Sequence, residues 1–422
     1  MSSSFPHVTC LGCGCACDDI VVTVEDERIV RTEHACALGM GWFGDGRVPG
    51  EIRVDGHPSS LDLALDAAAD ILNAARGRLL VFFGEDLTCS AQRAAVGIAD
   101  RLRAVTESVV SENAAAGILA AQRRGRAGCT LGEIRNRADL VLFWGTDPEK
   151  QYPRFRSRFT PLSGLHLRRG HAGRSIVSVA IGPDTGPPEA DLYLTLPLQD
   201  EVAALAELRT RLLGRSLGDP APWSPELAAL ADRLIRAKYV ALIHDGEHSD
   251  QQRSPERIEA LIALAQALNG PTRAALSSLR GGGNRSGAEA VLTWQTGFPF
   301  AVDFSRGAPR YQPDRRAADR LDTGALAAGL VVGAPRSVPE TLQRGLARIP
   351  TVVVGPRASE APFAARVLID TGVAGIHESG VGYRMDDVPL PLQEILPGPR
   401  SATETLVQLA RRLAPARTGV RS

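Results

Sequence analysis

Two runs of five apolar residues constrain this chain most: LLVFF at Leu79–Phe83 and LVLFW at Leu140–Trp144. Neither alternates with polar residues, so a strand made from either needs cover on both faces. Stretches with helical character surround them. Ser60 can cap a helix that runs through Ala75, with Gly77 to end it. Further helices are expected at 89–104, Ala115–Gln122, Asp200–Leu213, Pro255–Leu268, Pro339–Arg348 and Ala402–Ala414. Strands are expected at Ser175–Val179, Val240–Ile243, Gly329–Val332, Thr351–Val354 and Arg366–Ile369. Such alternation implies an α/β fold with parallel sheets. At 422 residues the chain is too long for one ordinary core. A Gly-, Pro- and Ser-rich stretch at 214–224 reads as a linker, which gives one α/β domain over 57–213 and a second α/β region over 224–422.

Residues 1–56 have a different texture and form a small, turn-rich domain. Asp19–Val24 and Arg28–Thr32 alternate well enough for two short strands. Five of the seven cysteines crowd here: Cys10, Cys13, Cys15, Cys17 and Cys36. With no charged-then-apolar leader at the amino end, a secreted disulfide framework is disfavoured. The spacing Cys10-x2-Cys13-x3-Cys17, with Cys36 after eighteen intervening residues, suits a cluster: three thiolates wrap three corners of a cubane and a distant fourth closes it. Gly12 and Gly14 let the loop curl tightly. The expected metal ligands are therefore Cys10, Cys13, Cys17 and Cys36, with Cys15 spare. Zinc is the rival reading, although its four-cysteine sites more often use two separated C-x2-C pairs. A site without metal, with Cys36 a plain core thiol, also stays open. Cys89 and Cys129 read as ordinary buried thiols.

Lys plus Arg and Asp plus Glu both number 48, so the net charge is zero. That speaks against a general nucleic-acid or membrane-surface binder. No apolar run approaches the ~20 residues of a membrane span. A cytoplasmic protein is expected.

The turn after LVLFW reads Trp144-Gly145-Thr146-Asp147-Pro148. Ligands of open α/β sheets bind at the carboxyl ends of strands, so Gly145, Thr146 and Asp147 are candidate cofactor contacts. Lys150, Arg154, Arg156 and Arg158 can meet phosphate charge. The plainer alternative is a capped turn with a solvated basic face. The run Arg280-Gly281-Gly282-Gly283-Asn284 can also approach a ligand closely, on weaker grounds.

The segment CLGCGCACDDIVVTVEDERIVRTEHACALG resembles the amino-terminal cluster domain of the formylmethanofuran dehydrogenase B-subunit family, within the molybdopterin oxidoreductase superfamily. So do CTLGEIRNRADLVLFWGTDPEKQYPRFRSRF, LTWQTGFPFAVDFSRGAPRYQP and GVGYRMDDVPLPL, in the same order along the chain. The resemblance implies a small [4Fe-4S] domain followed by two α/β domains with parallel sheets, without the carboxyl-terminal barrel of single-chain relatives. It implies a molybdo- or tungstopterin guanine dinucleotide, and assembly with the A, C and D subunits of the same kind of complex. Two departures stand out. The family's metal-ligating Cys-His pair, just before a helix, aligns with Asn113 and Ala114, and Ser111 is the only nucleophile-like side chain nearby. An amide is a poor ligand for these metals. The family's Asp-Pro-Arg after the third sheet strand aligns with Val179-Ala180-Ile181-Gly182. Both departures lead to the expectation that the pterin cofactor is lost, with no catalytic residue of its own. The chain then resembles the B subunit of the bacterial formyltransferase/hydrolase complex, while keeping all four cluster cysteines. The competing readings are a working carbon dioxide/formyl oxidoreductase subunit and, from another class, a free-standing zinc-binding α/β interaction protein.

Overall fold

The computed structural model describes residues 2–167, 173–215, 221–247 and 255–414. Residues 216–220 of the expected linker lie outside this set. The chain divides into two compact units, one made of 111–281 and the other of 1–110 with 282–422.

The unit 111–281 is built on a five-stranded, wholly parallel sheet. Its order is Leu192–Leu196, Ser175–Ile181, Leu140–Trp144, Tyr239–Asp245 and Arg273–Leu279. The LVLFW run lies at the centre and is buried along its whole length. Helices Glu112–Arg124, Glu201–Leu212, Ser224–Arg236 and Pro255–Leu268 carry the other walls of the core. Trp144 shows why a polar pair sits inside. Its indole N–H donates to Glu201 Oε1 at 2.7 Å, and Arg257 Nε donates to Glu201 Oε2 at 2.6 Å. One buried carboxylate thus ties a strand to two helices. The strand Leu192–Leu196 was not expected; its sequence LYLTL is exposed on alternate residues, as an edge strand allows.

The other unit holds a nine-stranded sheet. Its order is Arg310–Tyr311, Val302–Asp303, Val105–Ser108, Leu79–Phe83, Ala328–Val332, Thr351–Gly355, Val367–Asp370, Ile52–Val54 and His57–Pro58. The five strands from Val105–Ser108 to Val367–Asp370 are parallel, and the flanks are antiparallel. This corrects the contiguous domains expected from sequence. LLVFF finds its neighbour in Ala328–Val332, so 57–110 belongs with the carboxyl-terminal half. The boundary at 56/57 also moves, because Ile52–Val54 already pairs with Val367–Ile369.

The amino-terminal sheet has three antiparallel strands, Ser2–Val8, Ile20–Glu25 and Arg28–Glu33. Ser2–Val8 is largely exposed and contains Pro6; its register shifts between Phe5 and Val8, as proline on an edge strand requires. Ser60 caps the helix Leu61–Ala74 as expected, accepting from Leu63 N. The helix Cys89–Leu102 is shorter than expected, because Arg103 turns left-handed (φ 54°) into the strand Val105–Ser108. Among the described residues no helix is long and apolar enough to cross a membrane.

Candidate functional site

The cysteine loop curls on itself: Cys10 N donates to Cys17 O at 2.8 Å and Ala16 N to Cys13 O at 3.1 Å. Cys36 stands at the cap of the short helix Ala37–Phe43, and a Cβ at Gly39 of that helix would lie 3.3 Å from Cys10 Sγ. Cys10, Cys15 and Cys17 are buried; Cys13 and Cys36 are half-buried. Burial pushes the Cys10 thiol well up, the Gly12 N–H opposes this, and the thiols of Cys13, Cys17 and Cys36 push it further. Those three therefore neighbour Cys10. Among the described residues no group of three or more His, Cys, Asp or Glu is placed to hold a metal ion. A cubane spaces its thiolates roughly 6–7 Å apart, wider than a single ion does, and four neighbouring thiols are its donor chemistry.

The glycine run, expected as a possible ligand turn, has another partner. Gly283 N donates to Leu11 O at 2.8 Å. A Cβ on Gly282 would collide with Leu11 O and lie 2.8 Å from Cys13 Cα. Gly282 is glycine because the cysteine loop presses against it.

At the carboxyl edge of the five-stranded sheet, Gly145 takes φ 57° and donates its N–H to Val179 O at 2.7 Å. Thr146 is buried, and Asp147 is half-buried. Asp147 Oδ1 accepts from Glu149 N at 3.2 Å and caps the turn Pro148–Lys150. Lys150 donates to Thr185 Oγ1 at 3.2 Å, and Arg156 pairs with Glu149 and Glu189 at 3.3 Å each. The Arg158 guanidinium lies 5.2 Å from the Phe159 ring centre. Asp147 thus caps its turn, and Lys150 and Arg156 find partners within the protein.

Asn113 lies in the first turn of a helix that starts at Glu112, not ahead of one starting at Ala115. Ser111 caps it by accepting from Ala114 N at 3.1 Å. The Ser111 hydroxyl donates to Glu247 Oε2 at 2.7 Å, Arg280 Nε donates to Glu247 Oε1 at 2.8 Å, and Asn113 Nδ2 donates to Glu247 O at 3.4 Å. Glu247 follows the strand Tyr239–Asp245, whose Ile243 pairs with Phe143, so this network sits at the same edge as the Trp144 turn. The side chains of Glu247 and Arg280 are 2% and 11% exposed. None of the four is a soft ligand.

Two sequence expectations need correction. Val179–Ile181 is still strand, since Ser175–Ile181 runs two residues further than expected. The loop after it begins at Gly182 and carries Asp184, which bridges back to Ile181. The loop beyond this strand therefore carries acidic residues, Asp184 first among them. Cys129 is half-buried rather than buried, and it lies beside the Tyr239 hydroxyl.

The nine-stranded sheet has a cavity of 320 Å³ that sequence reasoning missed. Loops after Phe83, Val332 and Gly355 contribute Asp86, Arg336 and Arg357, and Arg47 comes from the amino-terminal region. Asp86 is buried; its carboxylate accepts from Trp42 Nε1 at 3.0 Å and from Arg336 at 2.7 Å. Burial pushes that carboxyl up and Arg336 opposes it. His377 accepts from Val373 N at Nδ1 (3.1 Å), so its proton is on Nε2, which meets Gly46 O at 2.7 Å. Burial holds this imidazole below its usual 6.5. The contributing residues lie in sequence stretches with no periodic signal, which hid them.

Two parallel-sheet units, one inserted in the other, and a cysteine loop on an antiparallel amino-terminal sheet define the class. No family model matches the chain. It is 31% identical to the B subunit of a tungsten-containing formylmethanofuran dehydrogenase 2 of Methanocaldococcus jannaschii, over 93% of this chain and 94% of the relative. It is 28% identical to the B subunit of the formyltransferase/hydrolase complex of Methylorubrum extorquens, over 76% and 85% of the two chains. An X-ray structure of that complex with methylofuran holds a chain similar at a TM-score of 0.71 and 25% identity, covering 86% of this chain and 98% of that one. The chain belongs to the formylmethanofuran dehydrogenase B-subunit family.

Proposed function

We propose that this chain is the non-redox B subunit of a formyltransferase/hydrolase-type complex in methanofuran- and tetrahydromethanopterin-linked one-carbon metabolism. The observation that carries the reading is the Ser111–Glu247–Arg280 network. A metal at a pterin needs a soft ligand or an acid–base partner from the protein. At the aligned position this chain offers Asn113, and the neighbouring hydroxyl and carboxylate are bound to each other and to a guanidinium. Formyl transfer and hydrolysis then belong to partner subunits, and this chain serves as their scaffold. Exposed Val30, Leu38, Met40 and Trp294 suit burial against A-, C- and D-like subunits. Cys10, Cys13, Cys17 and Cys36 would hold a [4Fe-4S] cluster, which when bound supplies one-electron capacity and a rigid staple; the staple is the role this reading needs.

The test is metal and pterin analysis of the complex purified with its natural partners. Iron near four per chain, no stoichiometric molybdenum, tungsten or pterin, and no formate-dependent dye reduction are expected, with formyl transfer intact. A pterin-bound metal overturns the reading. Asn113→Cys alone is expected to leave redox activity absent. A second reading, an active dehydrogenase subunit, is favoured by the arginine-rimmed cavity of 320 Å³ and by the tungsten-containing relative. The same metal analysis separates the two.

A further inference from the structure

We propose that the amino-terminal edge of the five-stranded sheet, the end away from the Trp144 turn, carries a separate binding site for a small multivalent oxyanion. Four neighbouring parallel strands begin there, at Leu140, Ser175, Tyr239 and Arg273. Their first residues and the ones just before them line a cavity of 560 Å³. Among the described residues Arg137, Arg174, Arg236, Lys238 and Arg273 line it, against the single carboxylate of Asp139.

That carboxylate is already engaged. Asp139 Oδ1 accepts from Lys238 N at 3.0 Å and Tyr239 N at 2.8 Å, and Oδ2 accepts from Lys238 N at 3.0 Å. It ties two strand starts together and leaves the cationic side chains to the cavity. Arg174 is 2% exposed and is held by neutral carbonyls: Ala138 O at 2.8 Å, Ile134 O at 2.8 Å, Arg135 O at 2.7 Å, and Pro161 O. Burial lowers its pKa to about 10, so it stays a cation at neutral pH. A buried cation held by carbonyl dipoles is a fixed source of positive potential behind the cavity. In front of it Arg137, Arg236, Lys238 and Arg273 are exposed. The Arg273 guanidinium lies 5.8 Å from the Tyr239 ring centre, which orients it.

Like charges gathered this way repel one another, and a bound dianion or trianion relieves that repulsion. Guanidinium forks match phosphate and carboxylate oxygens two at a time. The volume is that of a small-molecule site, and a chain of zero net charge has no overall basic excess of the kind usual in a nucleic-acid binder. The occupant is therefore a small metabolite bearing two or more phosphate or carboxylate groups. This site is independent of the Ser111–Glu247–Arg280 network and of the amino-terminal cysteines.

The test uses the complete protein with the subunits it purifies with. Pyrophosphate and citrate are titrated by calorimetry at matched ionic strength, against wild type and Arg236→Gln/Arg273→Gln. Both replaced side chains are exposed, so the variant folds. The expected result is saturable binding of at least one of the two probes, with affinity at least ~10-fold lower in the variant. Tighter pyrophosphate assigns phosphate, and tighter citrate assigns carboxylate. Phenylglyoxal labelling of Arg236 and Arg273, mapped by mass spectrometry, should slow when the tighter probe is bound. The proposal is overturned by no saturable binding, by equal binding to the variant, or by retention of a DNA duplex alone. Metal and pterin content does not bear on these outcomes.

Discussion

The carboxyl edges of the two parallel sheets spend their polar groups in opposite ways. At the five-stranded sheet, Ser111, Glu247 and Arg280 bond one another, and Glu201 joins Trp144 to Arg257. At the nine-stranded sheet, Asp86 and His377 line an open cavity with arginines at its rim. The same topology thus yields one edge that is internally satisfied and one that keeps room for a ligand. A strand order that favours binding supplies the place, and side chains decide whether the place is filled from within.

The largest expected effect comes from breaking the satisfied edge. Glu201→Ala strips the partner from Arg257 and from the Trp144 indole; the Glu201 and Arg257 side chains are 4% and 7% exposed. A loss of about 3–5 kcal/mol in the unit 111–281 is expected, read as a lower denaturant midpoint by tryptophan fluorescence. Glu247→Ala should cost less than this, because Arg280 at 11% exposure reaches water more readily. An equal or greater loss at Glu247 would show that the network there is the more rigid of the two.

Next comes the seam between the glycine run and the cysteine loop. Gly282→Ala forces a Cβ into the Leu11 and Cys13 backbone. About 1–3 kcal/mol of destabilisation is expected from overpacking, together with lower iron content after reconstitution. Unchanged iron and stability would mean that the loop yields freely.

The open edge should show itself in pH dependence. His377 is buried neutral, with its pKa held below 6.5. Above pH 6.5 both folded and unfolded forms are neutral, and the group contributes fully. As pH falls below 6.5 the unfolded chain binds a proton that the folded chain refuses, so stability drops by up to about 1.4 kcal/mol per pH unit until the folded pKa is reached. A melting series from pH 7.5 to 5 measures it, and His377→Gln should flatten the slope. The smallest effect belongs to Arg348→Ala, whose pair with Asp322 is 61% and 69% exposed; no measurable change in melting temperature is expected.

Elements made of solid apolar residues were legible in the sequence. LVLFW is a strand to the residue, and Pro255–Leu268 is a helix with the expected bounds. Elements whose reason lies elsewhere in the fold were not. Ser2–Val8 is polar and proline-bearing, and it is a strand only because Ile20–Glu25 pairs with it. The cysteine spacing is local, since Cys10, Cys13, Cys17 and Cys36 lie within 36 residues of the amino end, and it was legible as a pattern. The Ser111–Glu247 bond joins residues 136 positions apart, and no local pattern signals it. The domain boundaries failed for the same reason: a strand's neighbour is a long-range fact.

That long-range pairing orders events during synthesis. Leu79–Phe83 leaves the ribosome with one side of its ladder open, and Ala328–Val332, which closes it, is made only after the whole 111–281 unit. At roughly 5–20 residues per second the open edge waits on the order of ten to fifty seconds. In that interval LLVFF, five apolar residues with no charge among them, is exposed to wrong pairing. In the inserted unit the wait is shorter, because Leu140–Trp144 gains Val240–Ile243 well before Gly281.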